Sequence, residues 1–441
     1  MSVIRFDQLP DEIVLYILDR VRHDHVFKLN PVSHGMFAIM RLVCKRFRDM
    51  SYRHMILNYD KCRDFSIDVK REITKLVAKN MDDDANIQRI GQFSGLERLQ
   101  LSITCLFNTL CQNNEIITRI IDTNRCLTHL TLGEKYGKTI DISGIAYDLS
   151  LIDLRLKNVS GIKTEWLNSL RSLRIFHIST CDVVSDDAPH FLSRLTELKI
   201  NCTPPYSIGL HPSPFSNEMH LPNVEKLHLK NVPARMLCSL FNSMHDAKYN
   251  ILKLCIEDCP AIDASILFND LAGHVSKLTL VHQEVIDDGA DFCADFNALT
   301  LRGYHAGQTF SIYSSKRNIG IGHLQSFKLI DNSYNLLPHL PERLKSENEN
   351  MQRIISILGQ TDKIVLHNVC KDLYQHIRNA MQIKPQILYL KSMSTWDTIL
   401  YLNGELVDIN DPRYDDRISF AQKHVESYDI GKIYQHRWRH H

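Results

Sequence analysis

Residues 251–256 read ILKLCI, with apolar residues at the first, fourth and sixth positions. The same spacing returns in VSKLTL at 275–280, in LTELKI at 195–200 and at seven further places from residue 96 onward, and TDKIVL at 361–366 and PQILYL at 385–390 match it at the fourth and sixth positions. Alternation of apolar and polar residues predicts a strand that buries one side and exposes the other. The central apolar residues of the twelve predicted strands are Leu99, Leu130, Leu154, Phe176, Leu198, Leu227, Leu254, Leu278, Leu299, Phe327, Ile364 and Leu388.

Consecutive centres are on average about 26 residues apart, and this period and pattern resemble the leucine-rich repeat. Two of the connecting segments, 233–248 and 263–274, have apolar residues at three- and four-residue spacing, which predicts helices. One repeat cannot bury its own apolar face, whereas stacked repeats can. The resemblance implies an α/β leucine-rich-repeat solenoid, a horseshoe with a parallel β-sheet on its concave side and helices outside.

A different pattern occupies the start of the chain, where residues 6–18 read FDQLPDEIVLYIL. Pro10 suits the first position of a helix, and the acids that follow suit its first turn. Apolar residues then surround the predicted helix, so more than one of its sides must be covered. A second apolar helix is predicted over 34–50, but two short helices form too small a core to stand alone. We therefore expect a partner protein to cover the remaining apolar surface.

The motif LPDEIxxxIL at 9–18, followed by RLVCKRF at 41–47, resembles an F-box. An F-box beside leucine-rich repeats resembles the substrate receptors of Skp–cullin–F-box (SCF) ubiquitin ligases, although the segment between the two motif halves is longer here. In that family the F-box hairpin binds the Skp adaptor, and through it a cullin, while the repeats hold the substrate. The resemblance implies a receptor subunit rather than an enzyme. The implied adaptor-binding residues are Leu9, Pro10, Ile13, Ile17, Leu18, Val43, Cys44 and Phe47.

The residues that flank the last two apolar positions of each predicted strand share the outward face. Of 36 such residues twelve are Lys or Arg and three are acidic, although the whole chain has a net charge of +1. This face is expected to attract an acidic or phosphorylated segment of a protein substrate. The alternative is that each Lys is simply solvated. The predicted substrate-binding residues are Arg155, Lys199, Lys226, His228, Lys230, Lys253, Lys277 and Arg302.

These patterns divide the chain into four predicted segments. They are an F-box at 1–50, a helical connector and N-terminal cap at 51–95, about twelve leucine-rich repeats at 96–393, and a C-terminal cap and tail at 394–441. The tail ends in YQHRWRHH, which we interpret as frayed, with weak metal binding or RNA contact as the alternative.

Composition excludes several other classes of protein. The near-zero net charge gives no indication of nucleic-acid binding, and no apolar run is long enough for a membrane helix. The start of the chain lacks the pattern of a signal peptide, and its twelve cysteines lie mostly in apolar patterns, so we expect a cytoplasmic or nuclear location. No nucleotide, metal or hydrolase motif occurs, so no cofactor is expected.

The alternative to a ubiquitin-ligase receptor is a non-catalytic leucine-rich-repeat scaffold or inhibitor that is not linked to ubiquitination.

Overall fold

The computed structural model describes the chain between residues 56 and 407, with gaps. The described ranges are 56–82, 84–104, 110–135, 139–145, 149–181, 183–184, 189–202, 221–247, 250–271, 273–291, 296–316, 324–331, 361–369, 387–392, 398–402 and 405–407. They fall in two compact units, of which the first ends at Leu195 and the second begins at Thr196. The predicted F-box and the histidine-rich tail lie outside the described residues.

The first unit combines short helices with a parallel sheet. Its strands are β1 (Leu57–Asn58), β2 (Lys75–Met81), β3 (Arg98–Ile103), β4 (His129–Glu134), β5 (Ile140–Asp141), β6 (Asp153–Lys157), β7 (Val159–Ser160), β8 (Ile162–Lys163), β9 (Ile175–Ser179) and β10 (Val183–Val184). Its helices are α1 (Tyr59–Cys62), α2 (Ile67–Arg71), α3 (Asp84–Ile90), α4 (Leu110–Thr123), α5 (Thr164–Ser169) and a 3₁₀ turn (His190–Arg194). The main sheet has the order β1-β2-β3-β4-β6-β9, and β5 pairs with β7 and β8 with β10, all in parallel.

The second unit contains the larger part of the sheet. Its strands are β11 (Glu197–Asn201), β12 (Lys226–Lys230), β13 (Ile251–Glu257), β14 (Ile262–Asp263), β15 (Val275–Val281), β16 (Val285–Ile286), β17 (Ala298–Gly303), β18 (Ser326–Asp331), β19 (Lys363–Val369), β20 (Ile387–Ser392), β21 (Thr398–Leu402) and β22 (Glu405–Val407). Its helices are α6 (Ala234–Ala247), a π-helical turn (Ile266–Asp270) and α7 (Ala306–Lys316). The order is β11-β12-β13-β15-β17-β18-β19-β20-β21-β22, parallel as far as β20 and antiparallel from there to β22. The chain is therefore an α/β protein with large parallel sheets and few helices.

The structure confirms the predicted alignment of strand centres within each unit. In the first unit the aligned centres are Leu99, Leu130, Leu154 and Phe176. In the second unit they are Leu198, Leu227, Leu254, Leu278, Leu299, Phe327, Ile364 and Leu388. The centres from Leu99 to Ile364 are at most 2% exposed. Burial of this apolar column is the main term that stabilises the sheets, because apolar area removed from water dominates folding.

Two connecting segments differ from the predicted helices. The helix predicted over 233–248 is confirmed as α6, but the one predicted over 263–274 is wrong in extent. Its first residue belongs to β14, which pairs with β16, and the helical part covers only 264–270, which ends in the π-helical turn. The segment predicted as a helical connector, 51–95, contains the helices α1 to α3 and also β2, which joins the sheet beside β3.

The residue four positions after a strand centre repeatedly adopts the left-handed conformation. In this set φ lies between 49° and 103°, and its members are Asn80, Asn158, Thr180, Asn231, Asp258, His282 and Gly303. Asn, Asp and Gly tolerate this conformation better than other residues do. It lets the backbone N–H groups of Asn158, Asn231 and Asp258 donate to the carbonyl oxygens of Ser179, Glu257 and Val281 on the neighbouring strand. The turn therefore extends each parallel ladder by one bond before the chain leaves the sheet.

Replacing Gly303 by Ala is expected to lower the free energy of unfolding by about 2–4 kcal/mol. Gly303 has a φ of 103°, and an added Cβ would lie 2.3 Å from Nδ1 of His282. The His282 ring packs against the ring of Tyr304 with centroids 4.9 Å apart, so it must give up part of this contact to admit the added Cβ. Urea unfolding followed by circular dichroism measures the loss.

Gly273→Ala is the matched control, because Gly273 has a φ of 81° and an added Cβ there meets nothing within 4 Å. Gly273→Ala should lower the free energy of unfolding by only about 1 kcal/mol, the cost of a left-handed backbone at a residue with a Cβ. Equal losses for the two variants would contradict a clash with His282. The double substitution Gly303→Ala/His282→Ala separates the ring clash from the backbone strain.

Candidate functional site

The predicted adaptor-binding residues lie outside the described residues: Leu9, Pro10, Ile13, Ile17, Leu18, Val43, Cys44 and Phe47. Of the predicted substrate-binding residues, Arg155 lies on β6 of the first unit. The others lie on five strands of the second unit, from β11 to β17. These are Lys199, Lys226, His228, Lys230, Lys253, Lys277 and Arg302.

Three lysines of the second unit stand side by side at the beginning of their strands. The Cα of Lys253 pairs across the sheet with that of Lys226 on one side and with that of Lys277 on the other. Adjacent strands lie about 4.8 Å apart, so the three stems share about 10 Å of the sheet face. All three residues are exposed. We call Lys226, Lys253 and Lys277 the lysine row.

The opposite ends of the same strands carry both signs of charge. Nζ of Lys230 lies 2.5 Å from Oε1 of Glu257 and 3.4 Å from Oδ2 of Asp258. Nε2 of His228 lies 3.0 Å from Oε2 of the same glutamate. We call His228, Lys230, Glu257 and Asp258 the Glu257 cluster. His228 and Lys230, although predicted to bind substrate, already have acidic partners within the chain.

Glu257 remains ionised far into the acid range. Its hydrogen bond with His228 lowers its pKa, partial burial acts in the opposite direction, and the hydrogen bond with Lys230 lowers it further, to about 2. Hydrogen bonds from the Lys230 ammonium and with the His228 ring, and a side chain that is only 20% exposed, make this carboxylate a fixed negative charge on the face.

The Glu257 cluster should make stability depend on acid. Because the folded-state pKa of about 2 is below the ordinary value of 4.5, the carboxylate stabilises the fold above pH 4.5, and this contribution is lost as pH falls towards 2. Between about pH 6 and pH 2, we expect the wild type to lose about 2 kcal/mol more unfolding free energy than Glu257→Gln, after allowance for solvent screening. Urea unfolding at several pH values measures both proteins, and identical pH profiles would contradict the assignment.

The two other acidic residues of the outward face are paired as well. Oε2 of Glu197 lies 3.1 Å from Nζ of Lys226, at one end of the lysine row. In the first unit Asp153 accepts two hydrogen bonds from Arg155, each 2.9 Å long. The repeat alignment contained the signal for one of these pairs, since it places Glu197 directly opposite Lys226. Opposition of two strand positions is what brings such side chains into contact.

Three predicted residues have no such partner within the described part of the second unit. The side chains of Lys199, Lys253 and Lys277 make no ion pair or hydrogen bond there. Arg302 lies one strand from the half-buried Lys328, whose pKa is lowered by burial and further by the charge of Arg302. Of the three lysines without such a partner, Lys199 lies on β11, and Lys253 and Lys277 stand together beside Lys226.

Cys255 stands at an outward position of β13, and Cys259 is buried. Burial, followed by the charge of Glu257, raises the pKa of Cys255 to about 12. Its thiol therefore stays protonated near neutral pH, and a protonated thiol is a poor nucleophile. Cys255 therefore does not add a reactive group to the outward face.

None of the helices in the described ranges combines the length and the apolar character needed to cross a lipid bilayer. The sequence matches no protein-family model and has no significant match among curated proteins.

Proposed function

We propose that the chain is the substrate-recognition subunit of an SCF-type E3 ubiquitin ligase. An F-box at 1–50 binds the Skp adaptor, and the outward face of a leucine-rich-repeat solenoid binds a protein substrate. The observation that carries the proposal is the pairing of LPDEIxxxIL and RLVCKRF with a strand repeat. Neither feature alone indicates a ligase, because repeat folds serve many functions.

The register of the sheet supports the repeat half of this proposal. One long strand per repeat, aligned centre to centre, is what a solenoid of stacked repeats requires. The left-handed residue after many of these strands recurs at one repeat position, which indicates that the repeats share a backbone turn as well as an apolar pattern.

The subunit acts by holding its substrate rather than by making bonds. A substrate tethered near a ubiquitin-conjugating enzyme reacts faster, because binding replaces an encounter between free molecules. Positive charge on the outward face speeds association with an acidic segment and makes that association sensitive to salt.

The test mixes the purified full chain with purified Skp adaptor and follows co-elution by size-exclusion chromatography. We expect a one-to-one complex that also recruits a cullin. A chain that elutes alone at about 10 μM of each protein would overturn the ligase proposal. Binding of an acidic partner without adaptor binding would instead identify a repeat scaffold.

A further inference from the structure

We propose that the lysine row is the recognition site for an extended, carboxylate-rich segment of the substrate that crosses strands β12, β13 and β15. This inference rests on the proposed function and deepens it by naming the chemistry of the ligand. Lys226, Lys253 and Lys277 attract the segment, and the Glu257 cluster sets the direction in which the segment lies on the face.

The row has limits on both sides, and these limits define the length of the segment. On one side Lys226 pairs with Glu197 of β11. On the other side the Cα partner of Lys277 is Ala298, which has no charge. The row thus spans the three strands β12, β13 and β15, or about 10 Å, with Lys253 and Lys277 unneutralised and Lys226 shared with Glu197. An extended peptide places alternate side chains on one side about 6.7 Å apart, so acids at alternate positions match the reach of these flexible side chains.

The composition of the row favours carboxylates spread along a chain over a single phosphoryl group. A phosphate is bound best by planar Arg groups or by free backbone N–H groups. The row consists of lysines, and the backbone groups of β12, β13 and β15 are engaged in the parallel ladder. Exposed ammonium groups on separate strands attract distributed negative charge without providing a pocket for three phosphate oxygens.

The Glu257 cluster gives the face a direction. Across the centre of β13 and β15 the outward residues are Cys255 and Thr279, which are uncharged near neutral pH. Beyond them the two carboxylates of Glu257 and Asp258 share the single ammonium of Lys230, which leaves an excess of acidic groups over lysines at the far ends of the strands. An acidic segment is therefore attracted to the beginning of the strands and repelled from their end, which favours a path across the strands.

The experiment measures binding of a fluorescent twelve-residue peptide of alternating Asp and Ser to the full chain at about 50 mM salt. We expect Lys253→Gln/Lys277→Gln to weaken binding about tenfold, as the loss of two exposed ion pairs predicts. Lys157→Gln/Lys363→Gln is the matched control. It removes the same charge from two outward strand positions outside the row and should change the affinity less than about twofold.

A second peptide replaces the six Asp residues by three phosphoserines of about equal total charge. We expect the two peptides to bind within about threefold of each other. Absence of binding by the Asp peptide, equal losses in the two double variants, or a phosphopeptide that binds more than about tenfold tighter would each overturn the proposal.

Adaptor binding by Lys253→Gln/Lys277→Gln, measured by co-elution, separates this inference from the proposed function. Retained adaptor binding with lost peptide binding supports both. A wild-type chain that binds the adaptor but not the Asp peptide refutes the lysine row alone, and a wild-type chain that binds the peptide but not the adaptor refutes the ligase proposal.

Discussion

Replacing Leu9, Pro10 and Ile13 together by Ala is expected to end the association of the full chain with the Skp adaptor. The proposed F-box contact buries apolar side chains, each of which contributes about 1.5–3 kcal/mol when it is fully removed from water. Loss of two such side chains and of the proline that begins the predicted helix should weaken binding at least about 100-fold. Isothermal titration with purified adaptor measures the dissociation constants.

The control removes three apolar side chains from the surface elsewhere. Ile67, Ile152 and Leu252 are 53%, 39% and 43% exposed, and their joint replacement by Ala should leave adaptor binding unchanged. Circular dichroism melts of both variants show whether each remains folded. Normal adaptor binding by the first variant would refute the proposed role of residues 9–18. An equal loss of adaptor binding in the control would show that the effect is not specific to the F-box residues.

Replacing Phe268 by Ala should lower the free energy of unfolding of the second unit by about 3–5 kcal/mol. Phe268 is 0% exposed, and its ring lies 5.2 Å from that of Tyr313 and 6.5 Å from that of Phe296, measured between centroids. The substitution leaves a cavity that these two rings fill only in part. Urea unfolding measured by circular dichroism gives the change.

Leu252→Ala is the matched control for this substitution, because the side chain belongs to the same unit but is 43% exposed. It should cost less than about 1 kcal/mol. A similar cost for the two variants would contradict the assignment of Phe268 to the core. An unchanged midpoint for Phe268→Ala would contradict the packing of the π-helical turn against Phe296 and against Tyr313 of α7.

The strand centres were predictable because period-two burial leaves a strong apolar pattern in the sequence. Strand β2 was missed because its third apolar position is held by Ala78, the smallest apolar side chain available. Ile73, Leu76 and Ala78 are each at most 1% exposed, so they match the pattern of the other strands. Ile73, Leu76 and the outward-facing Val77 are three and four residues apart, which is the spacing expected of a helix. A small residue such as Ala78 can occupy a buried strand position when neighbouring side chains fill the space, and it then leaves only a weak apolar signal in the sequence.

The candidate site was predictable as a charge imbalance but not as a set of free cations. Counting Lys, Arg, Asp and Glu over the face ignores which side chains stand opposite each other. Lys230 and Glu257 are Cα partners in the register, and the predicted alignment already placed them side by side. The left-handed residues could not be inferred from composition alone, since Thr180 and His282 adopt this conformation together with Asn, Asp and Gly.

The outermost described strand of each unit bears on how the protein behaves at high concentration. A ladder of parallel strands presents a template for further strands at each edge, and an exposed edge invites end-to-end polymerisation. Within the described ranges, β1 of the first unit is only 2 residues long and β22 of the second unit is 3 residues long, and β20, β21 and β22 pair in antiparallel directions. These two strands offer few backbone groups that another molecule could extend into a filament.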